Sequence, residues 1–276
     1  MRRTHFAVGL LSLTASCVYF NSMYDAQNTY AEAVQIQRDG IQATARVQFD
    51  SVIAITERIV SGHPESKYAA SASLMKTRAE LANQLPAAAA NTAMGMSALS
   101  DKKRDLDTAA GLEGVARRQL DELAAADPLL SQALAGEISD EDEALFLFHR
   151  GMARLESGRT DQAAEDLAAT GIQSELSMEG RLDLARALSD VGQYAASARL
   201  TGALVRENKF ANFEQSLHVQ LDTLARRAPV ILDSTLAIEL DQPEQPDSKR
   251  SALYYFRGRS REQISDTLAA LQMYDG

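Results

Sequence analysis

The side chains with the most chemical reach are four histidines, one cysteine and an acidic run. His5, His63, His149 and His218 are scattered along 276 residues, and none stands beside Cys, Asp or Glu at metal-ligand spacing. Ser139-Asp140-Glu141-Asp142-Glu143 is dense enough for acid–base or Ca²⁺ work, but it lacks the glycine and the spacing of a calcium loop. At the start of a helix, the same run complements the positive end of the dipole. There is no Gly-rich phosphate loop and no Gly-x-Ser-x-Gly, and the glycines stand singly where helices turn. No cofactor, no metal and no enzymatic activity is expected. Cys17 is the lone cysteine, so no internal disulfide forms. Lys249, Arg250, Arg257, Arg259 and Arg261 make a basic patch in a chain of formal charge −10. It reads as a solvated face, or else as a groove for an acidic ligand or partner segment. The overall acidity argues against a nucleic-acid partner.

The elements that position these residues are read from a repeat. Gly151-Met152-Ala153-Arg154 through Ala163-Ala164 lies over Ala185-Arg186-Ala187-Leu188 through Ser197-Ala198 at an offset of 34 residues. Small residues fall on small residues, and Gly158 falls on Gly192. A fixed period in this range marks stacked helix pairs. The pattern resembles the tetratricopeptide repeat, whose fold is an all-α right-handed superhelical solenoid of helix pairs. The clearest units are 143–170, 178–205 and 251–276. In the last, Gly258 takes the place of Gly151 and Ala185, Ser265-Asp266-Thr267 takes the turn, and Ala270 and Tyr274 fall on Ala163 and Leu167. About six pairs are expected. The final helix lacks a turn or two, which reads as an array running on beyond Gly276.

The chain opens with Arg2 and Arg3, an apolar run from Phe6 to Leu13, and Leu13-Thr14-Ala15-Ser16-Cys17. That is the order of a secretory signal and its small-residue cleavage site. It resembles a bacterial lipoprotein signal, departing from the usual pattern at Thr14, where leucine is common. The resemblance implies residues 1–16 as signal, acylation of Cys17, and a repeat domain over 17–276. Cleavage takes the net charge from −10 to −12. Two or more acyl chains anchor stably, at about 0.8 kcal/mol per buried methylene. In the lipoproteins that the start of the chain resembles, a residue such as Val18 after the cysteine implies the outer membrane, facing the periplasm.

Ala26, Tyr30 and Ala33 share one helical face and look like the second helix of a repeat unit. Phe49 to Val60 reads as a helix. Pro64 then ends it, Ser66 caps the next, and Tyr68 to Ala82 follows. Pro64-Glu65-Ser66-Lys67-Tyr68-Ala69 resembles the junction in outer-membrane assembly lipoproteins. Pro86 opens another helix. Leu106 to Ala126 has helical periodicity, with a break at Asp127-Pro128. Ser216 to Asp241 is a pair with Pro229 near its turn, and 241–248 is a loop.

Together these readings predict a membrane-anchored, non-enzymatic scaffold that binds other proteins of the cell envelope, in assembly or export. In this family the groove formed by first helices is the usual recognition surface. The candidate groove residues are His149, Arg150, Arg154, Arg181, Arg257 and Arg261. The alternative is a lipoprotein binding cell-wall glycan or exported polysaccharide through Tyr254, Tyr255 and Phe256.

Overall fold

The computed structural model describes residues 4–170, 176–208, 211–242 and 246–274, with side chains from Asn21 onward except at 211 and 212. Those residues form fourteen α-helices and no strand. They are α1 (Thr4–Arg38), α2 (Gln42–Gly62), α3 (Ala69–Ala82), α4 (Pro86–Met94), α5 (Lys103–Gln119), α6 (Leu123–Leu134) and α7 (Asp140–Glu156). After them come α8 (Thr160–Thr170), α9 (Met178–Asp190), α10 (Tyr194–Glu207), α11 (Ala211–Arg227), α12 (Pro229–Leu240), α13 (Asp247–Gln263) and α14 (Thr267–Tyr274). A short 3₁₀ turn, Gly95–Ala98, extends α4. The chain divides into two compact units, Met1–Ala153 and Arg154–Gly276.

Helices pair two by two through one turn chemistry. The positive-φ residues of the described chain are Gly40, Gln84, Asp121, Gly158, Gly192 and Ser265, and each lies just past the first helix of a pair. In every case the following N–H reaches back to the carbonyl five residues earlier, as in Gln193 N to Leu188 O at 2.7 Å and Arg159 N to Arg154 O at 2.8 Å. This is the Schellman closure, which satisfies orphan carbonyls and reverses the chain in three residues. The exception is the turn between α11 and α12. There Ala228 is extended at φ −147° and Pro229 opens the next helix. The all-α organisation of successive helix pairs therefore holds, with seven pairs among the described residues where about six were expected.

Within each unit, the helices of a pair are clamped where small residues meet, as the contacts at Ala185, Gly114 and Gly258 show. Seven residues before the turn residue stand Ala33, Thr77, Gly114, Gly151, Ala185 and Gly258, all buried. Five residues after it stand Ala45, Ala89, Ala126, Ala163, Ser197 and Ala270, all 0–1% exposed. Contact at this level is direct: the Ser197 hydroxyl donates to the Ala185 carbonyl at 2.6 Å. Gln220 of α11 joins there, its amide donating to Ser197 Oγ at 3.1 Å and to the Ala185 carbonyl at 3.3 Å. Nine residues after the turn, four of the six hairpins carry a larger side chain, Phe49, Leu130, Leu167 or Tyr274, and the other two carry Ala93 and Thr201. A Cβ on Gly114 would lie 2.7 Å from Leu130, and one on Gly258 would lie 2.4 Å from the Tyr274 ring. Around these seams the first unit buries Phe49, Leu112, Leu130 and Phe146, and the second Leu184, Leu200, Leu204, Leu217 and Leu221.

Several local expectations are corrected. Ala26, Tyr30 and Ala33 lie on α1, the first helix of its pair rather than the second. Ser66 does not cap α3; Tyr68 holds that position without a side-chain bond, and Ser66 shapes the turn through its carbonyl, which accepts from Ala69 N. Asp127-Pro128 does not end a helix, because the reversal comes earlier, at left-handed Asp121, and Pro128 sits inside α6. Proline there forgoes a single ladder bond near the helix start. The acidic run behaves as a cap: Asp142 N donates to Ser139 Oγ at 3.2 Å and Ser139 Oγ donates to the Asp142 carboxylate at 2.9 Å.

The tightest approaches set two expected outcomes. Gly111 faces Phe146 so closely that an added Cβ would lie 2.1 Å from the ring. Gly111→Ala should destabilise the first unit by about 1–3 kcal/mol. Gly192→Ala, which meets no neighbour but forces a left-handed alanine at φ +80°, should cost about 1–2 kcal/mol in the second unit. Urea midpoints of the full chain read both.

Candidate interaction surface

Helix α7 carries the first two candidate residues, within the first unit. His149 is only 7% exposed, packed edge-on against Phe148 at 5.1 Å, with Nδ1 3.3 Å from Arg118 Nη1 of α5. Burial, and then the Arg118 charge, hold its imidazole well below the usual range. It is a neutral acceptor in the core, not a groove side chain open to a ligand. Arg150 donates to Ser131 Oγ at 3.3 Å. The N-terminus of α7 is tied to α3 by Arg78 and buried Asp142 at 2.7 Å. Burial raises the pKa of Tyr30 on α1, where Arg78 and Asp142 also act. One charged cluster thus gathers first helices from three hairpins.

The other four candidates lie in the second unit and are also engaged. Arg154 pairs with buried Asp166 of α8 at 2.8 Å. Arg181 pairs with Glu207 of α10 at 2.6 Å. Arg257 and Arg261 of α13 converge on Asp233 of α12, at 3.1 and 2.5 Å. Arg261 also meets Asp266 at 3.2 Å, and Arg259 meets Asp222 at 3.2 Å. Arg250 donates to the Leu240 carbonyl, and Lys249 donates to the Arg206 carbonyl. The basic patch is therefore largely spent inside the fold, stitching hairpin to hairpin. A partner segment would have to exchange these ion pairs to use them.

The surface that stands out instead is apolar. Helices α13 and α14 expose Tyr255, Ile264, Leu268, Leu271 and Tyr274, with Leu268 at 71%, Leu271 at 57% and Tyr255 at 49%. Tyr255 packs edge-on against Phe256 at 5.0 Å and leans on Tyr274 at 5.8 Å. His218 of α11 completes the row, 5.3 Å from Phe256. Partial burial and a hydrogen bond with Glu262 push the Tyr274 phenol up to about 12, so it stays neutral. Sequence reasoning picked Tyr255 from its aromatic neighbours but not Leu268 or Leu271, because helical phase alone does not tell an outward leucine from a core one. Exposed apolar clusters of this kind mark contact surfaces. Among the described residues, no group of three or more His, Cys, Asp and Glu is placed to hold a metal ion.

No family model and no curated protein matches the chain. Among solved structures it is similar to a tetratricopeptide repeat protein from Parabacteroides merdae, at 15% identity and a TM-score of 0.41, over 90% of this chain and 91% of that one. At that score the likeness adds no weight to the repeat geometry described above.

Two charge sites give measurable consequences. The folded-state pKa of His149 lies below the ordinary 6.5, so the unfolded chain takes up the proton first and stability falls as pH drops below 6.5. His149→Gln, neutral at every pH, should flatten that slope between pH 7.5 and pH 5 in urea titrations. Asp233→Ala strands Arg257 and leaves Arg261 with Asp266 alone; it should cost about 3 kcal/mol, read as a lowered unfolding midpoint of the second unit.

Proposed function

We propose that this chain is a lipid-anchored, non-enzymatic adaptor that binds other proteins of the bacterial cell envelope during assembly or export, held at the periplasmic face of the outer membrane. The observation that carries the protein-binding part is the apolar face of α13 and α14, five large side chains left in solvent on one hairpin. The anchoring part rests on the sequence around Cys17, whose side chain lies outside the described residues. The backbone of α1 runs helical through that position, from Thr4 to Arg38. Among the described residues, no helix is long and apolar enough to cross a membrane. An acyl anchor running straight into α1 would keep the hairpins near the bilayer and raise the local concentration of partners there.

A second reading, an envelope lipoprotein that binds cell-wall glycan or exported polysaccharide, is favoured by Tyr255, whose half-exposed ring leans on two others. One experiment separates the two readings. A photoreactive residue replaces Leu268 in cells, membranes are fractionated, and wild type is compared with Cys17→Ser by intact mass and adduct identity. The adaptor reading expects acylated wild type, non-acylated Cys17→Ser, and a discrete protein adduct. Polymer-only adducts move the assignment to the second reading, and a soluble, unmodified wild type removes the anchor.

A further inference from the structure

In the first unit, Met94 holds a thioether in water. Of the seven methionines whose side chains are described, Met94 alone is exposed, at 50%; Met23 and Met96 are buried and the other four are half-buried. Met94 closes α4, and the 3₁₀ turn that follows carries Met96, only 1% exposed. From Gln84 to Ser100 the chain has no Asp, Glu, Lys or Arg, so the cation beside the sulfur comes from another helix. Arg117 of α5 places Nη2 3.5 Å from Met94 Sδ. The rest of that guanidinium is already fixed. Nε and Nη2 donate to Glu113 Oε1 at 3.1 and 3.0 Å, and Nη1 donates to Glu122 Oε2 at 2.7 Å. Two carboxylates thus hold the fork still while one of its donors meets sulfur, a weak acceptor.

We propose that Met94 is a reversible oxidation site for hydrogen peroxide, and that Arg117 holds the sulfoxide formed there. The sulfur lone pair attacks one peroxide oxygen. The S–O bond forms as the O–O bond breaks, and the proton on the transferred oxygen passes to the leaving hydroxide. Met94 gives up two electrons to become the sulfoxide, and the peroxide is reduced to water. Exposure chooses the site, because the peroxide must reach the sulfur from solvent. Arg117 sets the consequence. A sulfoxide oxygen accepts far more strongly than a thioether, so a poor contact becomes a charge-assisted hydrogen bond without displacing Glu113 or Glu122. Methionine sulfoxide ordinarily disrupts apolar packing. Half of Met94 is already in water, so little packing is lost there. The same oxygen on Met96, two residues on, would enter the core. Met94 therefore takes the oxidant in place of Met96, and its exposed sulfoxide stays open to a reductase.

Limited treatment of the full chain with hydrogen peroxide, mapped by peptide mass, tests the site. Met94 should oxidise first, roughly fivefold or more faster than Met96. The chain oxidised at Met94 alone, isolated by chromatography, should unfold in urea at or above the midpoint of the reduced chain. A pair of methionine sulfoxide reductases, one for each epimer, should restore the original mass. In Arg117→Ala, the same oxidation should lower the midpoint relative to that variant reduced. Met94→Gln, which sets a carbonyl oxygen near the place of the sulfoxide oxygen, should unfold at or above Met94→Leu. Another methionine oxidising first, a lower midpoint for the chain oxidised at Met94, or a sulfoxide that the reductases leave in place overturns the proposal. So does an equal shift on oxidation in wild type and Arg117→Ala, because the guanidinium then takes no part. If circular dichroism shows that Arg117→Ala does not fold, the two Met94 variants decide instead, and Met94→Gln unfolding below Met94→Leu overturns the role of Arg117.

Discussion

Everything in this fold depends on how closely the two helices of each hairpin approach. Alanine, glycine or serine at two matched positions lets the backbones come together, and the Ser197 to Ala185 carbonyl bond shows how near they are. Side chains lining such a seam gain dispersion contacts that a wider gap would forfeit. The left-handed turn residue keeps the two positions in register, because a three-residue Schellman reversal allows one phase between the helices. Gln84, Asp121 and Ser265 accept the left-handed backbone without being glycine. At those three turns the register matters more than the cost of the strained φ.

With the seam set, larger side chains and charges join one hairpin to the next. In the first unit Phe146 fills the space that Gly111 leaves open, and Asp142 holds Arg78 across an intervening hairpin. In the second, Asp233 collects two arginines from α13. Ion pairs buried to this degree contribute little net stability but are costly to break, so they fix which helix follows which. The same economy explains why the arginines are poor recognition groups: their donors are committed before any partner arrives.

Recognition therefore shifts from charge to shape. Asp233 is taken up by two arginines within the fold, whereas Leu268, Leu271 and Tyr255 stand in solvent on the α13–α14 hairpin, with Tyr274 partly exposed beside Tyr255. A repeat array buries each hairpin only against its neighbours.

The sequence by itself determined the helical class, the stacked-pair organisation, the turns at Gly158, Gly192 and Ser265, and the capping role of the run at 139–143. These are local matters: glycine at a left-handed turn, small residues recurring at one period, a hydroxyl at a helix start. It misplaced the reversal at Asp121, because a left-handed aspartate carries no obvious signal while Asp127-Pro128 carries a misleading one. It also assigned Ala26, Tyr30 and Ala33 to the wrong helix of a pair, because periodicity reports a buried face and not what covers it. Only the tertiary structure decided the fate of the charges. His149, Arg154, Arg181, Arg257 and Arg261 find their partners 12 to 31 residues away in sequence, and such pairings exist only once the helices stack. Leu268 and Leu271 show the same limit: whether a leucine on an amphipathic helix is core or surface depends on whether another helix lies against it.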